Sequence, residues 1–186
     1  MATTADFKNG LILDLEGQLF QITYFQHVKP GKGGAFVRTK LKSIRSGLVI
    51  ERTWNAGERV TDVRLERRPI QFSYADGHFY HFMDMGTFDQ IMLTDEVLGE
   101  DQLKYLKDGM ECEGLVYNDK VIMVELPFFV ELKVTRTDPG VRGDTATGGT
   151  KPARLETGAT VQVPLFIEEG VVIRVDRRED KYLTRV

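Results

Sequence analysis

The sequence predicts an all-β protein built as three small β-barrels in a row. Three observations carry this. Short alternating or β-branched runs fill most of the chain, and each ends in a turn signal. Only one stretch, Thr94 to Lys107, reads as a helix. Charge also changes in blocks. Ten Lys/Arg against six Asp/Glu give residues 1–64 a net +4, five against thirteen give 65–127 a net −8, and ten against nine leave 128–186 at +1. Segments of roughly 60 residues are marginal as independent cores, so each is expected to pack against a neighbour.

In the first segment, Leu11–Leu15, Gln18–Val28, Ala35–Ile44 and Leu48–Thr53 read as strands. Glu16-Gly17, the run from Lys29 to Gly34, Ser46-Gly47 and Asn55-Ala56-Gly57 are the turns between and after them. So many short strands in so few residues favour closure, because closure removes exposed edges. In the second segment, Ile70–Tyr74 and His78–Met83 flank the hairpin signal Ala75-Asp76-Gly77. Thr94 or Asp95 is positioned to cap the helix, and Gly99 weakens it. Gly114–Tyr117 and Lys120–Glu125 bracket Asn118-Asp119, and Pro127 marks a seam. The third segment opens with Phe128–Thr135. A long polar stretch follows, and then strands Ala159–Val163, Leu165–Ile167 and Val171–Val175.

Composition narrows the function. With 41% hydrophobic and 28% charged residues, the chain is an ordinary globular sequence and not a low-complexity one. The start MATTADFKNG lacks the apolar core of a signal peptide. Val121–Val134, the longest apolar stretch, is interrupted by Glu125, Pro127 and Glu131 and falls short of the roughly 20 residues that span a bilayer. One cysteine, Cys112, permits no internal disulfide, in agreement with a reducing cytoplasm.

Enzymatic chemistry finds no local support. His78 and His81 lie three apart in an expected strand, so alternation sends them to opposite faces, which suits no shared metal. Cys112 and His27 are far apart in sequence, and Ser43, Ser46 and Ser73 lack a nucleophile-elbow pattern. No metal, cofactor or catalytic residue is expected. Gly31-Lys32-Gly33-Gly34 only superficially resembles a phosphate loop, since Gly33 stands where the loop needs Ser or Thr, and a strand follows where a helix is needed.

The same stretch reads better as a presented lysine. Pro30 stiffens one side of a hairpin tip, and Gly31, Gly33 and Gly34 clear side chains from around Lys32 and allow unusual dihedrals. A lone ammonium on a narrow tip suits a slot lined by RNA phosphates, and it is a group that lysine-modifying enzymes alter. A solvated lysine in a glycine-rich turn is the plainer alternative. The polar stretch from Val141 to Lys151 carries small hydrogen-bonding groups with flanking cations, suited to RNA, or else forms an ordinary surface loop.

Together these residues resemble the elongation factor P family. The match rests on Lys29-Pro30-Gly31-Lys32-Gly33-Gly34-Ala35-Phe36-Val37-Arg38, on Pro139-Gly140-Val141-Arg142-Gly143-Asp144-Thr145, on the run from Lys151 to Ile167, and on Glu51 to Glu58. The resemblance implies an SH3-like, KOW-type barrel over 1–64, OB folds over 65–127 and 128–186, and an L-shaped, tRNA-like outline. It implies a monomeric, cytoplasmic, non-enzymatic translation factor. Such a factor binds both ribosomal subunits between the peptidyl and exit sites and relieves polyproline stalls by positioning peptidyl-tRNA. Lys32 becomes the tip lysine, a substrate for a modifying enzyme. Lys29, Arg38, Lys40 and Lys42 face RNA phosphates. Gly143, Asp144 and Thr145 approach messenger RNA in the exit site, and Arg142 and Lys151 are further candidate RNA contacts. A paralogous factor acting on other stall motifs, or a generic OB-type RNA-binding module, would share much of this pattern.

Overall fold

The computed structural model describes residues 1–140 and 148–186. Its strands are β1 (Ala2–Thr3), β2 (Ile12–Leu15), β3 (Gln18–Val28), β4 (Phe36–Ser43), β5 (Val49–Asn55) and β6 (Arg59–Val63). Next come β7 (Glu66–Ala75), β8 (Tyr80–Asp84), β9 (Gln90–Leu93), β10 (Glu111–Tyr117) and β11 (Lys120–Glu125). The last are β12 (Phe129–Thr137), β13 (Thr150–Leu155), β14 (Thr160–Pro164), β15 (Val172–Asp176) and β16 (Lys181–Arg185). They form a six-stranded sheet in the order β1-β6-β2-β3-β4-β5, a five-stranded sheet β11-β10-β7-β8-β9, and a closed barrel β12-β13-β14-β16-β15. The chain gathers into two compact units. Met1–Glu66 with Val116–Met123 form the first, and Arg67–Leu115 with Val124–Val186 form the second.

The first unit is organised by alternation. On β4, Val37, Thr39 and Leu41 point inward while Arg38, Lys40 and Lys42 point out. The inward set meets Phe7, Leu13, Phe20, Ile22, Trp54 and Val60. Trp54 crosses Phe7 edge-on at 5.6 Å. Its buried indole N–H donates to the Thr39 hydroxyl at 2.9 Å, and that hydroxyl donates to the Arg52 carbonyl at 3.0 Å. A Trp enters a core only if its N–H finds a partner, and Thr39 provides it.

In the second unit β12–β15 show clean alternation, with Val130, Leu132 and Val134 facing Ala153, Leu155, Val161, Val163, Ile173 and Val175 across the barrel interior. Tyr105 is fully buried, and its hydroxyl donates to Asp180 at 2.6 Å. Lys104 bonds the same carboxylate at 2.9 Å, and Thr157 donates to the Lys104 carbonyl at 2.6 Å. Arg67 ties β7 to Glu113 on β10 (2.6 Å) and Glu125 on β11 (2.9 Å).

Three sequence expectations are corrected. The helix over Thr94–Lys107 is two single turns, Asp95–Leu98 and Glu100–Leu103, parted at Gly99 with φ +79°. A left-handed residue cannot continue an α-helix. His78 lies in a turn, its backbone N–H bound to Asp76 at 2.9 Å, and β8 begins at Tyr80. Leu165–Ile167 is also a turn, with the Ile167 N–H returning to the Pro164 carbonyl at 3.1 Å. Ile167 is fully buried although no ladder holds it.

Thr39→Val leaves the Trp54 N–H buried and unpaired, which should cost about 1–3 kcal/mol. Urea unfolding followed by Trp54 fluorescence reads this directly, since Trp54 is the sole tryptophan. An unchanged midpoint would remove the bond from the account. Asp180 gives a pH signature. Hydrogen bonds from Tyr105 first, and then from Lys104, hold its carboxyl below the ordinary 3.8. The folded state therefore releases this proton more readily than the unfolded chain. The stabilisation is complete above about pH 4 and is lost as pH falls through the lowered folded value. Asp180→Asn should flatten the acid loss of stability, measured as urea midpoints by circular dichroism down through pH 4. Parallel wild-type and variant profiles would contradict this.

Candidate nucleic-acid interface

The β3–β4 ladder is long for its core. It runs from Phe20↔Ser43 to Val28↔Phe36, with an irregularity between Ile22 and Tyr24. At that irregularity the Thr23 hydroxyl donates to the Lys40 carbonyl at 3.1 Å. The third strand, β5, stops at Asn55 opposite Phe36, and the Ala56 N–H closes on the Ala35 carbonyl at 3.0 Å. Residues Lys29 to Gly34 lie beyond this closure, and all six are exposed.

The tip glycines are not equivalent. Gly33 has φ +113°, a conformation L-residues avoid. A Cβ there would meet Pro30 Cγ at an ordinary 3.8 Å, so the demand is on the dihedral and not on space. Gly31 and Gly34 have ordinary φ and open space. All three glycines allow unusual dihedrals, and Gly33 is the one of them with a positive φ. Gly31 and Gly34 serve by lacking side chains. Neither Lys32 nor Lys29 has a side-chain hydrogen bond or ion pair among the described residues.

Below the tip, Arg38, Lys40 and Lys42 form the outward row of β4. Arg38 lies 5.4 Å from the Phe36 ring centroid, and Lys40 reaches Glu51 at 3.8 Å across the ladder. Both groups of that ion pair are more than half exposed, so it constrains Lys40 weakly. Register places Gln26 opposite Arg38 and Tyr24 opposite Lys40. Half-exposed Tyr24 adds an aromatic surface beside the cations, which the strand pattern alone did not single out. The signal was its place two residues before Gln26, on the face that pairs with Arg38 and Lys40.

On the C-terminal barrel the expectation for Lys151 is overturned. Its side chain is buried, and Nζ donates to the Asp138 carbonyl at 2.6 Å. Lys151 shares the inward face of β13 with Ala153 and Leu155. It braces the barrel at Asp138 instead of offering a cation to RNA. Nearby, Gly140 is required by contact, since a Cβ would sit 2.7 Å from the Leu165 carbonyl oxygen. Arg142, Gly143, Asp144 and Thr145 lie outside the described residues.

The groups weighed for catalysis have structural settings. Burial pushes the Cys112 thiol up to about 12, the opposite of an activated thiolate. His81 Nε2 lies 2.8 Å from Asp76 and its ring stacks on Tyr74 at 4.3 Å. Among the described residues no three His, Cys, Asp or Glu side chains converge to hold a metal.

An SH3-like sheet with a projecting basic hairpin, followed by small β-domains, defines a class of translation factors that the comparisons identify. Residues 3–60 match the model described as "Elongation factor P (EF-P) KOW-like domain", 65–124 the "Elongation factor P (EF-P) OB domain", and 130–185 "Elongation factor P, C-terminal". The proteins named elongation factor P from Pelotomaculum thermopropionicum and Moorella thermoacetica are 53% and 56% identical over all of both chains. That of Corynebacterium kroppenstedtii is 55% identical, over all of this chain and 99% of its own length. This chain belongs to the elongation factor P family, a family of translation factors and not of enzymes. In fold it is similar to the translation initiation factor 5A of Methanococcus jannaschii, with TM-score 0.51 at 21% identity, covering 68% of this chain and 92% of that one. A translation initiation factor eif-5a family protein from Naegleria fowleri gives TM-score 0.54 at 14% identity, covering 67% of this chain and 96% of that one.

The two kinds of tip glycine separate experimentally. Gly33→Ala should cost about 1 kcal/mol or more through a strained φ, and shift the amide resonances of residues 29–35. Gly34→Ala should stay within about 0.5 kcal/mol. Equal effects in urea unfolding would refute the distinction.

Proposed function

We propose that this chain binds the ribosome between the peptidyl and exit sites and promotes peptide-bond formation at polyproline stalls by positioning peptidyl-tRNA. One observation carries the reading: Lys32 stands exposed, and unpartnered among the described residues, at the end of a hairpin whose base is fixed by a packed core. A catalyst of position needs a stiff arm and a group free to bind at its end. Holding the donor near attack geometry lowers the barrier through orientation, with no acid or base supplied. A tenfold rate gain needs only about 1.4 kcal/mol, and one charged hydrogen bond is worth about 1.5–3 kcal/mol. Lys29 and the row Arg38, Lys40 and Lys42 then meet RNA phosphates along the arm.

The segments 1–64, 65–127 and 128–186 act in this reading as the three domains of a monomeric cytoplasmic factor. Lys32 is also open to a modifying enzyme that would extend its reach. Residues 143–145 approach messenger RNA in the exit site, as the family resemblance implies, and Arg142 is a further RNA contact.

The test is synthesis of a proline-run reporter in a factor-depleted translation system. Wild type should restore synthesis and Lys32→Ala should lose it by roughly tenfold or more. The variant should unfold within about 0.5 kcal/mol of wild type, because the side chain is exposed and has no hydrogen bond or ion pair among the described residues. Full rescue by Lys32→Ala would refute the tip mechanism. The intact mass of the protein from its own cells reports whether Lys32 is modified.

A further inference from the structure

On the outer wall of the C-terminal barrel, β12 and β13 place two arginines directly opposite each other, Arg136↔Arg154. Both are exposed, and both line one open groove of about 480 Å3. Like charges directly opposite across an antiparallel pair repel and destabilise it unless a counter-charge lies nearby. Among the described residues neither guanidinium has an ion pair or a side-chain hydrogen bond. Elsewhere on the same barrel Arg174 holds Glu131 and Arg178 holds Asp176, so the pairing chemistry is available and was not used here.

The rest of the groove wall is already engaged. The Thr135 hydroxyl donates to the Arg154 carbonyl at 3.1 Å, and Thr157 donates to Lys104. Glu156, the one carboxylate on the wall among the described residues, is held by Lys107 at 2.9 Å and by the Lys133 N–H at 2.8 Å. With its charge balanced by Lys107, Glu156 does not neutralise the arginines. What the groove offers a ligand is therefore two planar guanidinium forks, each with five N–H donors. A guanidinium fork suits the oxygens of a phosphate, which accept its paired N–H donors.

We infer that Arg136 and Arg154 form an oxyanion site that takes a phosphate group between them, either a backbone phosphodiester of single-stranded RNA or a free phosphate. The site is separate from the hairpin tip and does not depend on the role proposed for Lys32. Binding relieves the repulsion between the arginines, so the ligand stabilises the barrel as it binds.

The full-length protein tests this with two probes, sodium phosphate and a short unstructured oligoribonucleotide, with sodium chloride at matched ionic strength as the control. The arginine Nε–Hε NMR signals of Arg136 and Arg154 should shift saturably, and the melting temperature should rise more than in chloride. Arg136→Gln and Arg154→Gln should each weaken binding roughly tenfold, with each variant keeping a cooperative melt. Without oxyanion, neither variant should melt below wild type, since each removes a repulsion. Saturation by phosphate alone identifies a free phosphate. Saturation by the oligonucleotide, with phosphate competing only weakly, identifies a backbone phosphodiester. No saturable shift with either probe, or undiminished binding in both folded variants, overturns the site.

Discussion

The inward face of β4 is the constraint on which the N-terminal unit depends. Val37, Thr39 and Leu41 hold one side of the β3–β4 ladder in a closed core, and Thr39 completes Trp54 through a buried hydrogen bond. Burying a Val or Leu side chain is worth about 1.5–3 kcal/mol each. The tip at the other end of the ladder contributes no burial. It also carries three glycines, each with extra backbone entropy to lose on ordering. A tip of that composition would not order itself. It holds its place because the strands that lead to it are fixed by side chains farther down the same ladder. Core and arm are thus two ends of one element, and alternation lets one strand serve both. Val37, Thr39 and Leu41 go to the core, and Arg38, Lys40 and Lys42 go to solvent.

The second unit solves a different problem. Its helical portion is only two single turns, too short to bury much on their own. Tyr105, just after them, is large and fully buried, and its hydroxyl needs an acceptor that an apolar interior lacks. Asp180 supplies it from the loop between β15 and β16, and Lys104 balances the charge. Burial, followed by the Asp180 carboxylate, pushes the Tyr105 phenol up and keeps it a donor. One carboxylate thereby fastens the end of the helical stretch to the C-terminal barrel.

Much of this was legible in the sequence, and the gaps have physical causes. β3 and β11 match their expected bounds because firm turn signals close both ends. β6 and β16 were missed because Arg59, Asp62, Lys181 and Arg185 give them few apolar positions to show period two. β13 was missed because Pro152 and Lys151 read as loop, yet Lys151, Ala153 and Leu155 share one face and all are buried. The inward turn of Lys151 could not be read locally, since its partner is a backbone carbonyl thirteen residues away. The helix was overextended because apolar spacing continues across Gly99, while φ changes sign there. Leu165–Ile167 shows the converse error. An apolar run fills a core equally well from a turn, and only the missing ladder tells the two apart. The tip was legible because Pro and Gly act through their own backbone and not through tertiary partners.

Net charge was the least informative sequence property, and partnering is what replaces it. The total of −3 averages over groups in unlike states. Arg67, Arg174 and Arg178 are already committed to carboxylates within the fold. An incoming phosphate would have to break those bonds before forming its own, so their net gain is small. Lys32 and Lys29 at the tip have no such bond to lose among the described residues. They exchange only water for phosphate. A mildly acidic protein can therefore present strongly interacting cations, provided that its acids are spent on other bases. Arg67 bridging Glu113 and Glu125 is that arrangement in the acidic middle of the chain. The cations that matter for recognition are those the fold leaves unused, and only the structure separates them from the rest.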